Sequence, residues 1–214
     1  MTNLFSPFDP CTGMFSLNWM SMIIMMIIMP YNFWIIPNKN MIMMMKMLKK
    51  INMELNSNLT YKSSTIMMMS LMMMIMMNNM MGLVPYVFTC SSHLMFSLSL
   101  SLPMWMSFMM YATIKKTNKM FCHLLPKGTP KILMPFMIMI ETISNLIRPM
   151  SLAVRLSANM IAGHMILALM GNSNKNMMLI IMLMLMILLT FELAVSIIQS
   201  YVFMTLTSLY SSEM

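Results

Sequence analysis

The residues that could carry out chemistry lie in the C-terminal part of the chain, inside two long apolar stretches. They are carboxylates, arginines, side-chain amides and one histidine: Glu141, Arg148, Arg155, Asn159, His164, Glu192 and Gln199. An arginine near the middle of a bilayer costs about 2.5 to 3.5 kcal/mol, so it is normally paired or exposed to a water-filled path. Charged and proton-binding groups in such a setting predict the transport of ions or protons.

Spacing places several of these side chains on one helix face. Glu141, Arg148 and Arg155 follow one another at intervals of seven residues. At about 100° per residue, each interval turns the position by only about 20°. Asn159, four residues after Arg155, returns to the same stripe, whereas His164 lies well around the helix and about 13 Å further along. The first apolar stretch therefore carries a polar stripe with a separate histidine beyond it.

The second stretch adds Glu192 and Gln199, which are again seven residues apart and share a face. A carboxylate reachable from one side, a central arginine, and a His164–Glu192 pair on the other side resemble two aqueous half-paths separated by a fixed cation. A hydrated imidazole is a suitable proton carrier, because it titrates near neutral pH. The alternative is structural: Arg155 would form an ion pair with Glu192 or Glu141, and His164 would be a hydrogen-bonded packing residue.

The elements that must position these groups are membrane helices. Of the 214 residues, 59% are hydrophobic and only 8% are charged, and the mean hydropathy is +0.77. This composition leaves too little polar surface to cover a soluble globule. We predict an all-α integral membrane protein, a single membrane domain over residues 1–214 with five or so membrane helices.

Five apolar stretches are long enough to cross a hydrocarbon core of about 30 Å. They cover residues 14–36, 63–88, 93–114, 132–170 and 176–212. The second and third are predicted to form a hairpin, broken around Gly82 and Pro85. The last two are almost twice as long as a perpendicular crossing requires, so they predict a long hairpin whose helices are strongly tilted or broken.

Two lysine-rich segments set the predicted orientation. Residues 39–62 and 115–131 carry five lysines each, whereas the other connections and the termini carry only Lys175. Because Lys and Arg accumulate in inner loops, the N-terminus is predicted outside and the C-terminus inside. Apolar residues between the lysines of 39–62 predict an amphipathic helix on the membrane surface. The same lysines account for the net charge of +8, so nucleic-acid binding is not predicted.

Methionine is unusually frequent, at 43 residues. One interpretation is a Cu(I) site, since thioether sulfur suits that ion. The methionines fill whole spans without regular spacing, which favours flexible apolar packing, and no metal or cofactor is predicted. A mitochondrial code that reads ATA as Met would produce the same bias. Cys11, Cys90 and Cys122 lie far apart and predict neither a disulfide framework nor a zinc site.

The sequence around these residues resembles subunit a of the F-type ATP synthase of mitochondria. The similar blocks are MPFMIMIETISNLIRPMSLAVRLSANMIAGH at residues 134–164 and FELAVSIIQSYVFMTLTSLY at residues 191–210. NLFSPFDP near the N-terminus and MGLVPYVFT in the second span are also similar, so the resemblance covers nearly the whole chain. RLSANMIAGH is its most specific part.

The resemblance implies a stationary channel subunit beside a rotating c-ring whose members each carry a membrane carboxylate. Arg155 matches the family's essential arginine, and Asn159 and Gln199 match polar positions near it. His164 and Glu192 match the outer half-channel pair. Glu141 matches the inner carboxylate, and Arg148 is placed on the same proton path by its spacing.

The implied setting is the mitochondrial inner membrane, with the N-terminus toward the intermembrane space and the C-terminus toward the matrix. The implied partners are the c-ring, the other F0 and peripheral-stalk subunits, membrane lipid and protons. The sequence contains no Gly-rich phosphate loop and no nucleophile with its base. ATP chemistry is therefore expected in another subunit.

Two alternative functions remain at this point. A proton-pumping subunit of mitochondrial NADH dehydrogenase would also be rich in methionine, but it would be expected to carry lysines within its spans. Here the lysines lie in the connecting segments. A structural membrane scaffold would use the buried charges only for pairing.

Overall fold

The chain is helical throughout the part that a computed structural model describes, which is residues 5–11, 13–28, 36–58, 62–125, 130–172 and 178–213. Within these ranges the α-helices are α1 (Ser21–Ile28), α2 (Lys39–Asn58), α3 (Lys62–Gly82), α4 (Leu94–Lys115), α5 (Thr117–Leu124), α6 (Met134–Gly171) and α7 (Met178–Glu213). Short 3-10 helices cover Ser6–Phe8, Leu17–Met20 and Cys90–Ser92. The predicted all-α class is confirmed.

Four of the described helices are long and apolar enough to cross a membrane. Their candidate spans are Ser64–Gly82, Leu94–Lys115, Met134–Gly171 and Met178–Ser212. Large apolar side chains such as Met106, Ile143 and Leu183 are exposed on them, which suits contact with lipid or a partner rather than water. Of the predicted first span, 14–36, the structure describes Leu17–Met20 and α1, while residues 29–35 lie outside the described residues.

The connection between α3 and α4 is longer than the sequence suggested. Helix α3 ends at Gly82, six residues before the predicted boundary at 88. Pro85 lacks an amide donor and disfavours helical geometry at the residue before it, so the helix cannot continue. The chain then turns at Tyr86, whose φ of 67° lies in the left-handed region. Residues 83–93 thus form a connection large enough to cover one end of the bundle.

The last two helices form the long hairpin that positions the candidate site. Helix α6 has 38 residues and α7 has 36, which correspond to about 57 and 54 Å. Helix α6 continues through Pro149 without interruption. Within the described ranges both helices are continuous, so tilt is the way we expect them to fit a bilayer.

The two preceding helices pack on this hairpin more than on each other: α3 lies against α7, and α4 lies against α6. One buried cluster consists of Leu55, Met68, Met72, Met104 and Met204. A second joins Ile75, Leu152, Leu156 and Phe203. Methionine side chains therefore fill the interior between helices, as their flexibility allows.

The first lysine-rich segment forms α2, which contacts α3 and α7. Leu55 is 1% exposed and anchors it in the first cluster, while Lys46 and Lys49 are exposed. The hydroxyl of Tyr201 on α7 donates a hydrogen bond of 3.0 Å to a carboxylate oxygen of Glu54. Helix α2 is thus attached to α7 two residues beyond Gln199. The second lysine-rich segment contains the short α5, which was not predicted.

We expect Tyr201→Phe to lower the free energy of unfolding by about 1 kcal/mol or less, because the lost hydrogen bond is exposed. Glu54→Gln keeps an acceptor oxygen and is expected to cost less. The double variant should lose less than the sum of the two single losses, since both act on one contact. The midpoint of thermal unfolding of the purified complex is compared among the two single variants and the double variant. Additive losses would show that the two side chains do not interact.

Candidate functional site

Arg155 lies on an exposed face of α6. Its neighbours along that face, Ser151, Val154, Ala158 and Asn159, are also exposed. Within the described part of the chain, the Arg155 guanidinium forms neither an ion pair nor a hydrogen bond. The structural alternative required an ion pair from Arg155 to Glu192 or Glu141, and the described residues do not contain one.

Asn159 and Gln199 connect the two long helices one turn from Arg155. The Nδ2 of Asn159 donates a hydrogen bond of 3.0 Å to the Oε1 of Gln199, and Gln199 is 8% exposed. Spacing had placed Asn159 on the stripe of Arg155, and both side chains are exposed on α6. The pairing with Gln199 depends on how α7 is aligned with α6, so spacing within one helix could not reveal it.

Glu192 is buried against α6 at Gly163. A Cβ atom on Gly163 would lie only 2.8 Å from Cδ of Glu192, so glycine is required for this approach. Neither carboxyl oxygen of Glu192 has a hydrogen-bond partner within the described residues. Gly163 was not predicted as a site residue, although a glycine inside an apolar helix is a signal for close packing.

His164 borders a cavity of about 590 Å³. Its imidazole hydrogen-bonds the backbone of Gly82, and the ring of Phe8 meets it edge-on with centroids 6.2 Å apart. Its Nε2 has no partner within the described residues. His164 is therefore partly fixed by a hydrogen bond, as the structural alternative proposed, and also faces a space where water fits.

The cavity lies at the end of the bundle away from the lysine-rich segments. Its walls come from the N-terminal segment, from the 83–89 part of the α3–α4 connection, and from α6 and α7. Leu189 on α7 is a wall residue, and Glu192 follows it by three residues, about 4.5 Å along the helix. The cavity thus reaches to within one helical turn of the buried carboxyl group.

Toward the lysine-rich end, Arg148 and Glu141 form an ion pair along α6 with an N–O distance of 3.8 Å. The Arg148 guanidinium also stacks over the ring of Tyr210 on α7, 5.1 Å from its centroid. Both charged side chains are partly exposed. Tyr210 was not predicted, because no spacing rule relates residues on different helices.

The polar groups therefore form a series along the hairpin. From the cavity to the lysine-rich end, the order is His164, Glu192, the Asn159–Gln199 pair, Arg155, and the Arg148–Glu141 pair. Along α6, Arg155 is about 13.5 Å from His164 and about 10.5 Å from Arg148. The Arg155 guanidinium stands between two groups of proton-binding or charged side chains.

Comparison with known proteins identifies the family. The family model described as ATP synthase A chain matches residues 14–212. The chain belongs to that family. The protein named ATP synthase subunit a of Anopheles quadrimaculatus is 49% identical over 223 residues, which cover 100% of this chain and 99% of that protein. The proteins of the same name from Locusta migratoria and Drosophila melanogaster are 49% and 50% identical, with the same coverage.

Membership confirms the resemblance to subunit a of the F-type ATP synthase. It gives the chain the role of a proton-translocating subunit of the F0 membrane sector, which acts with other F0 subunits. Together with the apolar helices, it also indicates a multi-pass protein of the mitochondrial inner membrane. The NADH dehydrogenase alternative is excluded by the family.

Proposed function

We propose that this chain is the stationary subunit that provides two aqueous half-paths separated by Arg155, and that it drives rotation of the c-ring. The observation that carries the proposal is the state of Arg155, which is exposed and unpaired within the described residues. A cation in the hydrocarbon region is normally paired. Its counter-charge is therefore supplied by another subunit, and a ring carboxylate provides one.

The outer half-path begins at the cavity beside His164 and continues to Glu192. The cavity has room for a cluster of water molecules, each of which occupies about 30 Å³ in the liquid. Glu192 can accept or release a proton because its oxygens are not engaged by other described side chains. From Glu192 the protons reach the ring near the Asn159–Gln199 pair.

The inner half-path ends at Glu141 and Arg148, near the lysine-rich segments. The positive-inside rule places these segments in the matrix, which puts the N-terminus in the intermembrane space and the C-terminus in the matrix. The exposed lysines of α2 suit contact with anionic lipid headgroups or with peripheral-stalk subunits.

In this mechanism a ring carboxylate takes a proton from the outer path, rotates through lipid, and releases the proton to the inner path. It then passes Arg155 as an anion. At a separation of 4 Å and an effective dielectric constant of 20, a guanidinium and a carboxylate attract each other by about 4 kcal/mol. This attraction favours the ionised form of the ring carboxylate beside Arg155. A guanidinium does not deprotonate in proteins, so Arg155 blocks direct proton flow between the paths. A membrane potential contributes about 2.3 kcal/mol per charge per 100 mV.

Cysteine cross-linking tests the position of the ring. Ala158→Cys places a thiol on the exposed face of Arg155, where small side chains allow close helix approach, and Met106→Cys places one on the exposed side of α4. In a background without the native cysteines, we expect a disulfide between Ala158→Cys and a cysteine beside the ring carboxylate, and none from Met106→Cys. Equal cross-linking of both, or none from Ala158→Cys, contradicts the proposal.

A further inference from the structure

Asp9 borders the same cavity as His164, although it belongs to the N-terminal segment. We propose that Asp9 is a proton-collecting carboxylate at the mouth of this cavity. It takes protons from the outer solution and passes them through cavity water to His164 and Glu192. This inference rests on the proposed function, and it adds to the proton path a residue that the spacing of the membrane charges did not indicate.

The N-terminal segment is fixed against the cavity by specific contacts. The 3-10 helix Ser6–Phe8 brings the ring of Phe8 against the imidazole of His164. The Nδ2 of Asn18, another wall residue, donates a hydrogen bond of 3.1 Å to the backbone oxygen of Asp9. The backbone of Asp9 is therefore held at the cavity wall.

The carboxylate itself is oriented but accessible. The amide of Cys11 donates a hydrogen bond of 3.1 Å to Oδ1 of Asp9, a local arrangement common for Asp in turns. The residue is exposed. An exposed carboxylate can exchange protons with water while it remains at one place beside the cavity.

The distribution of charged residues also favours Asp9 as the group that collects protons. The chain has five acidic residues, and Glu54, Glu141 and Glu213 belong to the lysine-rich side of the bundle. Residues 1–38 contain no lysine or arginine. A single negative charge beside a cleft with apolar walls attracts cations and raises their local concentration. Asp9 is thus the exposed carboxylate of the described part of the chain at the cavity end.

Other ionisable side chains also lie at this end of the bundle. The titratable side chains that the described elements contribute around the cavity are Cys11, Tyr86, His93 and His164. His93 packs on the rings of Trp19 and Phe88 rather than on Asp9. None of these four side chains is a carboxylate, so they do not substitute for Asp9.

The test compares Asp9→Asn and Asp9→Glu in the assembled ATP synthase, reconstituted into liposomes. A potassium diffusion potential drives synthesis. The pH on the cavity side of the membrane, called the outer pH here, can then be varied. Asparagine retains an Oδ1 acceptor for the Cys11 amide, so the turn is preserved. At an outer pH of about 8 in dilute buffer, we expect Asp9→Asn to slow synthesis about three- to tenfold. At an outer pH of about 5 the rates should converge, and Asp9→Glu should stay close to the unmodified chain.

Buffer rescue separates proton collection from a structural role. Concentrated imidazole buffer delivers protons to the cavity directly, so it should restore the rate of Asp9→Asn at alkaline outer pH. An unchanged rate in dilute alkaline buffer, or a loss that concentrated buffer does not reverse, overturns the inference. The proposed function is tested separately: if Asp9→Asn behaves normally while Arg155→Gln is inactive, only the role of Asp9 is wrong.

Discussion

Arg155→Gln is expected to abolish ATP synthesis driven by a proton gradient while the complex still assembles. The variant removes the attraction of about 4 kcal/mol that favours an ionised ring carboxylate beside the arginine. At 1.36 kcal/mol per factor of ten, this corresponds to a loss of about a thousandfold. The measurement is the initial rate of ATP synthesis in liposomes after an acid-to-base transition, with mass spectrometry to show that the subunit is present.

Arg148→Gln is the matched control, since it removes the same type of side chain from the same helix, about two helical turns before Arg155. Arg148 has partners within the chain, Glu141 and Tyr210. We therefore expect Arg148→Gln to slow synthesis by no more than about tenfold, the effect of losing one partly exposed pair. Arg155→Lys tests whether charge alone suffices, because an ammonium lacks the planar fork of the guanidinium.

A purely structural role for Arg155 predicts the opposite order for the effects of Arg155→Gln and Arg148→Gln on ATP synthesis. If Arg155 had only a structural role, Arg155→Gln would leave synthesis within about twofold of the unmodified rate in every complex that assembles. Arg148→Gln would then be the more damaging change, since it breaks an ion pair that exists within the chain. Equal, small effects of the two substitutions would therefore refute the role proposed for Arg155.

The helices and their polar faces could be predicted from sequence, because periodicity depends on one helix at a time. The shared face of Arg155 and Asn159 is an example, as both are exposed on α6. The lengths of α6 and α7 followed from the two long, predominantly apolar stretches at residues 132–170 and 176–212. The Pro85 break was anticipated, although the connection that follows it is longer than the predicted turn.

Contacts between helices could not be predicted in this way. The Asn159–Gln199 hydrogen bond and the stacking of Arg148 on Tyr210 depend on the alignment of α6 with α7, which side-chain packing determines. Sequence neighbours usually pack together, so a closely packed α3–α4 hairpin was the natural expectation. In the structure each of these helices lies instead on one arm of the long hairpin.

Gly163 allows the carboxyl group of Glu192 to approach α6 closely, and Gly163→Ala is expected to disrupt the outer half-path. The added Cβ would lie 2.8 Å from Cδ of Glu192, a distance at which the carboxyl group must move. Overpacking of this kind typically costs about 1 to 3 kcal/mol. Misplacement of a reacting group by about 1 Å can cost about a hundredfold in rate. We therefore expect proton-driven synthesis to fall about a hundredfold.

Two other glycines provide controls for this substitution. Gly171→Ala lies on the same helix with no atom of the described residues within 4 Å of the added Cβ, so no effect is expected. Gly82→Ala meets the terminal Cε of Met160 at 3.1 Å, and a flexible methionine end can move aside. Its effect on the synthesis rate should be small. A comparable loss in all three variants would indicate a general intolerance of larger residues rather than a specific contact with Glu192.

A second substitution can restore the space that Gly163→Ala removes. Glu192→Asp shortens the side chain by one carbon–carbon bond, about 1.5 Å, and keeps a carboxyl group at the same position on α7. We expect the double variant Gly163→Ala, Glu192→Asp to synthesise ATP faster than Gly163→Ala alone, whereas Glu192→Gln should not rescue. Because Gln is as large as Glu, rescue by Gln would mean that the rate depends neither on the space at this contact nor on a proton-binding carboxyl group at position 192. Failure of Asp to rescue would mean that Gly163 serves the packing of the helices, and that the carboxyl group reaches the cavity by another route.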